Sequence, residues 1–170
     1  MRKKLFHYML SGILFTSLLG TLSHFIYGWS GSNPYAGLFT PVNESVWEHM
    51  KLLFFPMLLY FAFEKLMSVP YPVSQCCGNA VALLTGTCLI PVLFYTYTGI
   101  LGYHLAPLDI ATFYISVFAA FLLRFRLSVS GRKISKTHCL WLTALTLLIF
   151  LCFLIFTSCP PDLGLFHIPA

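Results

Sequence analysis

Acidic side chains are scarce in this chain. Only five occur in 170 residues, and charged residues of both signs make up 9%. Soluble domains carry about 25%, so a water-facing globule is excluded. Also missing are a P-loop, a dinucleotide-binding glycine fingerprint, HExxH, CxxC and any Cys/His zinc spacing, which excludes the enzyme classes those motifs mark. No internal repeat, low-complexity segment or separate soluble domain is present. What fills the chain is apolar: 58% of residues are hydrophobic and 17% aromatic. This predicts an all-α, polytopic integral membrane bundle forming one domain over residues 1–170.

Five apolar runs predict five transmembrane helices at about 5–27, 46–67, 76–98, 108–125 and 138–157. The first follows Arg2-Lys3-Lys4 but is longer than a signal-peptide core and lacks a small-residue cleavage site, so it reads as a retained helix. Gly12, Thr16, Gly20 and His24 recur along it every four residues. Small residues at that spacing let helix backbones approach, and the stripe carries His24 toward the same neighbour. Gly78, Ala82 and Gly86 form a second such stripe, while Pro56 and Pro91 predict kinks. Residues 30–42 are a Gly-, Pro- and Ser-rich loop that reads as dipping back toward the bilayer. The end, Asp162 to Ala170, reads as a mobile tail.

The net charge of +5 does not indicate nucleic acid, because the basic residues sit in short clusters between apolar runs. With five alternating spans, one side collects nine of the ten Lys and Arg residues, all but Lys51. The excess of basic residues marks that side as cytoplasmic, placing the N-terminus inside and the C-terminus outside. The outer side gathers Glu44, Glu48, Asp109 and Asp162, with His24, His49, His104 and His167. The six cysteines scatter over this topology, three near the inner face, two at mid-membrane and one outside. All six therefore read as unpaired.

The most polar stretch, Pro41 to Lys51, opens the second helix. A capping reading covers part of it. Ser45 and Glu48 fit a capping box, Glu44 suits the helix dipole, Lys51 can pair with Glu48, and Trp47 serves as an interface anchor. The sharper reading is a site. Glu44 and Glu48 lie one turn apart on one face, Ser45 and His49 on the adjacent face, and His24 arrives from the preceding helix. The candidate catalytic and metal-binding set is therefore His24, Glu44, Glu48 and His49, with Asn43 and Ser45 in support. Carboxylate plus imidazole suits a divalent metal such as Zn or Mn, or acid–base chemistry without metal. A Ser45/His49/Glu nucleophilic triad is the weaker form, since a capping serine is a poor nucleophile. Elsewhere, Asp109 reads as a helix cap, and Tyr103, His104, His7 and His138 as interface residues.

The run Leu22-Ser23-His24-Phe25-Ile26-Tyr27-Gly28-Trp29, the run Pro41-Val42-Asn43-Glu44-Ser45-Val46-Trp47-Glu48-His49-Met50-Lys51, Phe55-Pro56 and the Pro160-Pro161 ending resemble a family of small uncharacterised bacterial integral membrane proteins. The resemblance implies a bacterial cytoplasmic membrane location and adds no chemistry. Three functions compete: a membrane-embedded hydrolase or transferase acting on lipid-linked or periplasmic substrates, a carrier of a cation or small solute, and a non-catalytic assembly or regulatory subunit. The expected surroundings are membrane lipid and, through the outer loop, a protein partner.

Overall fold

Among residues 2–67, 75–130 and 135–169, which the computed structural model describes, the protein is all-α. Six α-helices follow in order: α1 (Arg2–Trp29), α2 (Pro34–Gly37), α3 (Val46–Leu66), α4 (Gln75–Leu101), α5 (Ala106–Ser130) and α6 (Lys136–Ser158). A single 3-10 turn, Gly164–Phe166, follows them. All except α2 are long and apolar enough to cross a membrane. The short α2 sits inside the loop predicted over 30–42, started by Asn33, whose side chain accepts from the Tyr35 N–H, and by Pro34 at the first helical position.

Helix α3 is the axis of the bundle. Leu53, Phe54 and Met57 on it are fully buried, and it packs against α1, α4, α5 and the 3-10 turn. Pro56 and Pro91 both lie inside helices that continue through them. Helix α1 lies against α3 and α5 by means of its small-residue stripe. Gly12, Thr16 and Gly20 are buried, and a Cβ built on Gly20 would stand 2.5 Å from the Leu52 carbonyl oxygen of α3 and 2.6 Å from the Phe113 ring of α5. In the second stripe Ala82 and Gly86 are close-packed, a Cβ on Gly86 meeting the Ala120 methyl at 2.8 Å, while Gly78 has open space.

The structure corrects four expectations. Cys77 and Cys139 form a disulfide, with their Cα atoms 4.9 Å apart. The sequence pattern puts both near one face. What sequence could not show is that the first turns of α4 and α6 are lateral neighbours. Cys88, Cys152 and Cys159 are free thiols, and the Cys76 side chain lies outside the described residues. Trp47 is no interface anchor. It is 8% exposed and packs among Phe153, Phe156 and Phe166, with ring centroids 4.7, 5.7 and 4.8 Å away. The same packing overturns the mobile tail, because Phe166 docks the 3-10 turn onto α3. Helix α5 extends to Ser130, past the predicted 125, so Arg126 sits in a helix and not a loop. Arg124 is buried within it, forming two hydrogen bonds with Glu64, donating a third to Asn79 Oδ1 at 2.7 Å, and lying over the Phe61 ring at 4.5 Å. A buried arginine stays charged, and this set of partners satisfies it.

Candidate functional site

The start of α3 is built by its own polar side chains. Asn43 Oδ1 accepts from the Ser45 N–H at 2.9 Å, closing a tight turn. Ser45 Oγ accepts from the Glu48 N–H at 3.4 Å, which caps the helix. Asn43 and Ser45 thus spend their side chains on local backbone, and that turn projects Glu44 outward. The other half of the expected capping box is redirected: Glu48 Oε2 accepts from the Val42 N–H at 3.0 Å.

Glu48 and Glu44 part company here. The Glu48 side chain is 3% exposed and faces inward, where Lys51 Nζ donates to it at 2.6 Å. Lys51, fully buried, also donates to the Gly37 carbonyl at 3.0 Å and to Thr157 Oγ1 at 2.6 Å. The pair therefore ties α3 to α2 and α6, its charges satisfied by three further hydrogen bonds. The one-turn spacing of the two glutamates suggested a shared face. The Lys51 ammonium draws Glu48 into the bundle, while Glu44, ahead of the first helical turn, is not bound to the helical period.

His24, Glu44 and His49 do converge. Their donor atoms all lie within 4.8 Å of one another. His24 Nε2 is 3.9 Å from Glu44 Oε1, and His49 Nε2 is 3.3 Å from Glu44 Oε2. The two imidazole centroids are 5.5 Å apart. His49 Nδ1 lies 2.9 Å from the Ser45 carbonyl oxygen. A carbonyl only accepts, so Nδ1 carries the proton, and in the neutral ring Nε2 turns a lone pair toward Glu44. Two electron-pair donors facing each other at that distance form a place where a cation would satisfy both. An N–H to backbone carbonyl bond on the far ring nitrogen is also how metal-ligating histidines are oriented. His24 Nδ1 is buried and has no hydrogen-bond partner among the described residues.

These three residues line a cavity of about 640 Å³. Its size is within the range of small-molecule sites, roughly 300–1,000 Å³. Its walls are mostly apolar, with Leu52, Ile90, Phe94 and Phe113 among them, and Ile168 and Pro169 of the docked tail close one part. His104 and Asp109 line it as well. Here the capping expectation for Asp109 fails, because its side chain is engaged elsewhere. Tyr97 Oη donates to Oδ1, and His104 Nδ1 lies 3.1 Å from Oδ2. Sequence reading passed over this pair because the Tyr97 contribution comes from α4, twelve residues earlier. Asp162 and His167, 2.8 Å apart, make an exposed pair in the tail.

A family model of unknown function, DUF6512, matches residues 1–169. The chain belongs to that family. No curated protein and no solved structure matches it. Family membership therefore supplies no activity, and the functional reading rests on the site's own chemistry.

Proposed function

We propose that the protein spans a membrane through α1, α3, α4, α5 and α6, and that His24, Glu44 and His49 hold a divalent cation, zinc or manganese, in a membrane-embedded hydrolase or transferase. Membrane residence is supported by the exposed apolar surface. Leu14, Leu18, Leu147 and Ile155 are each more than half exposed, and in water a continuous surface of that kind drives association. Nine of ten basic residues on one side orient the N-terminus to the cytoplasm, which sets the cavity at the outer boundary.

The convergence of His24, Glu44 and His49 on the cavity carries the functional reading. Ligand atoms around one tetrahedral zinc stand about 3.4 Å apart, because each bond is about 2.1 Å long. The separations of 3.3 and 3.9 Å run to different oxygens of Glu44, and with one ligand atom from each residue the three lie within 4.8 Å, so the side chains would draw in by about an ångström to hold the ion. Three protein ligands are the number that catalytic zinc sites use, leaving one position for water or substrate. Such a metal polarises an ester or phosphoryl oxygen. The carrier reading lacks a route: Leu53, Phe54, Met57, Val117 and Phe121 fill the middle of the bundle with no exposed surface.

The test is zinc titration of the full-length protein in lipid nanodiscs. One equivalent is expected to bind, with His24→Ala, Glu44→Ala and His49→Ala each losing it and Glu48→Gln retaining it. Affinity is expected to fall on acidification, because imidazole ligates only when neutral. Wild-type protein that binds no zinc or manganese, or triad variants that bind as well as wild type, would remove the metal site.

A further inference from the structure

Helices α4 and α5 meet at a short turn, and three polar side chains gather there. The Leu105 N–H donates to Tyr97 Oη at 3.4 Å, Tyr97 Oη donates to Asp109 Oδ1, and Asp109 Oδ2 faces His104 Nδ1 at 3.1 Å. Each member is oriented by the one before it. Asp109 accepts on both oxygens, so its carboxylate is fixed in the plane that His104 meets. With the Nδ1 proton on the carboxylate side, His104 Nε2 is left as a proton acceptor. This carboxylate–imidazole arrangement sets tautomer and orientation in acid–base sites generally. A purely structural turn would need neither the histidine nor its alignment, and the His104 side chain, 40% exposed, gains little by burial.

His104 and Asp109 line the same cavity as the His24–Glu44–His49 triad, but come from other elements and touch none of its members in the described contacts. The rest of the cavity wall is mostly apolar, with Phe25, Val46, Leu52, Ile90, Phe94 and Phe113 in it. A ligand that satisfies both kinds of surface has a polar head and a hydrocarbon chain. We propose that His104 is a catalytic acid–base residue for an amphiphilic ester, with Asp109 and Tyr97 as its positioning residues. The inference deepens the hydrolase reading and rests on it for the role of the triad.

The step balances without a redox partner. Water gives a proton to His104 Nε2 while its oxygen bonds to the acyl carbon or phosphorus of the ester. The C–O or P–O bond to the leaving alcohol then breaks, and His104 returns the proton to the departing alkoxide. Ester plus water becomes acid plus alcohol.

The experiment uses full-length zinc-loaded protein in nanodiscs with two probes, para-nitrophenyl decanoate and decyl para-nitrophenyl phosphate, which separate acyl from phosphoryl esters. His104→Ala is expected to lower kcat by about 10²–10⁴-fold, the usual contribution of a positioned acid–base group, with KM and zinc affinity little changed. Asp109→Asn keeps the shape but not the tautomer and is expected to lower kcat also. Imidazole added to His104→Gly is expected to restore part of the rate. Wild-type rates in His104→Ala, or a loss that imidazole does not rescue and that tracks lost zinc, would overturn the role of His104 while leaving the triad standing. Loss of activity in His104→Ala with full activity in His24→Ala would remove the triad and keep His104. Wild-type protein inert on both probes would overturn the role of His104 and the hydrolase reading, while zinc binding decides the metal site separately.

Discussion

Lys51 shows how one side chain partitions the polar stretch. It is a lysine with no exposed surface, held by Glu48, Thr157 and the Gly37 carbonyl. Breaking a buried pair by removing one partner typically costs about 3–5 kcal/mol, because the other charge stays buried and unpaired. Lys51→Met is therefore expected to destabilise the protein by about that amount, read as a shift in the detergent-induced unfolding midpoint. Replacing Lys51 and Glu48 together by apolar residues is expected to cost less than Lys51→Met alone. A Lys51→Met variant as stable as wild type would mean that the pair contributes nothing. Zinc binding by the folded fraction is expected to survive these changes, since neither residue belongs to the triad.

At the scale of the helix, close approach decides which small residues matter. Gly20 and Gly28 both lie in α1, yet a Cβ at Gly20 would strike the Leu52 carbonyl of α3, whereas one at Gly28 meets nothing within 4 Å. A backbone carbonyl cannot rotate away as a side chain can. Gly20→Ala is expected to destabilise by about 1–3 kcal/mol, the range for overpacking. Gly28→Ala is expected to stabilise by roughly 0.5–1 kcal/mol, because alanine loses less backbone freedom in a helix. Thermal unfolding of both variants in one detergent checks the opposite signs. Equal shifts would place the stripe away from its neighbours. The disulfide adds a cross-link at the same scale, joining the starts of α4 and α6. Helix α6 otherwise has little buried surface, Phe153 being its one buried residue among those described.

For the whole molecule, orientation in the membrane sets two observations against each other. In the proposed orientation the starts of α4 and α6 lie on the cytoplasmic side, where thiols are kept reduced. Cys77 and Cys139 nevertheless pair. The charge bias is the stronger determinant because it acts during insertion, whereas a thiol pair follows the compartment it is delivered to. Reporter fusions after residues 35, 103 and 170 are expected to lie outside, and those after 70 and 132 inside. Because the cytoplasmic thiol pool would open the Cys77–Cys139 bond on that side, both cysteines are expected to react with a maleimide in the same cells without added reductant. Protection of both cysteines until reductant is added, together with inverted reporters, would turn the molecule over and move the cavity to the cytoplasmic boundary.

Composition and patterning alone determined that the chain is all-α with five long apolar helices, because near-absence of charge and runs of about 20 apolar residues leave few alternatives. They also marked Gly12, Thr16 and Gly20 as a packing stripe, since a four-residue period is a helix face whatever it meets. His24, Glu44 and His49 were legible as candidates from residue type and position. The tertiary structure decided how the polar residues divide. Glu48 turns inward because its partner Lys51 is held in a buried site by Thr157 of α6 and the Gly37 carbonyl of α2, groups that the spacing within α3 does not show. Trp47 is core because Phe153, Phe156 and Phe166 arrive from the end of the chain. His104 and Asp109 join the cavity because α4 supplies Tyr97 and α5 packs beside α1. Periodicity reports which face of a helix a residue occupies; only the lateral arrangement of helices determines what that face touches.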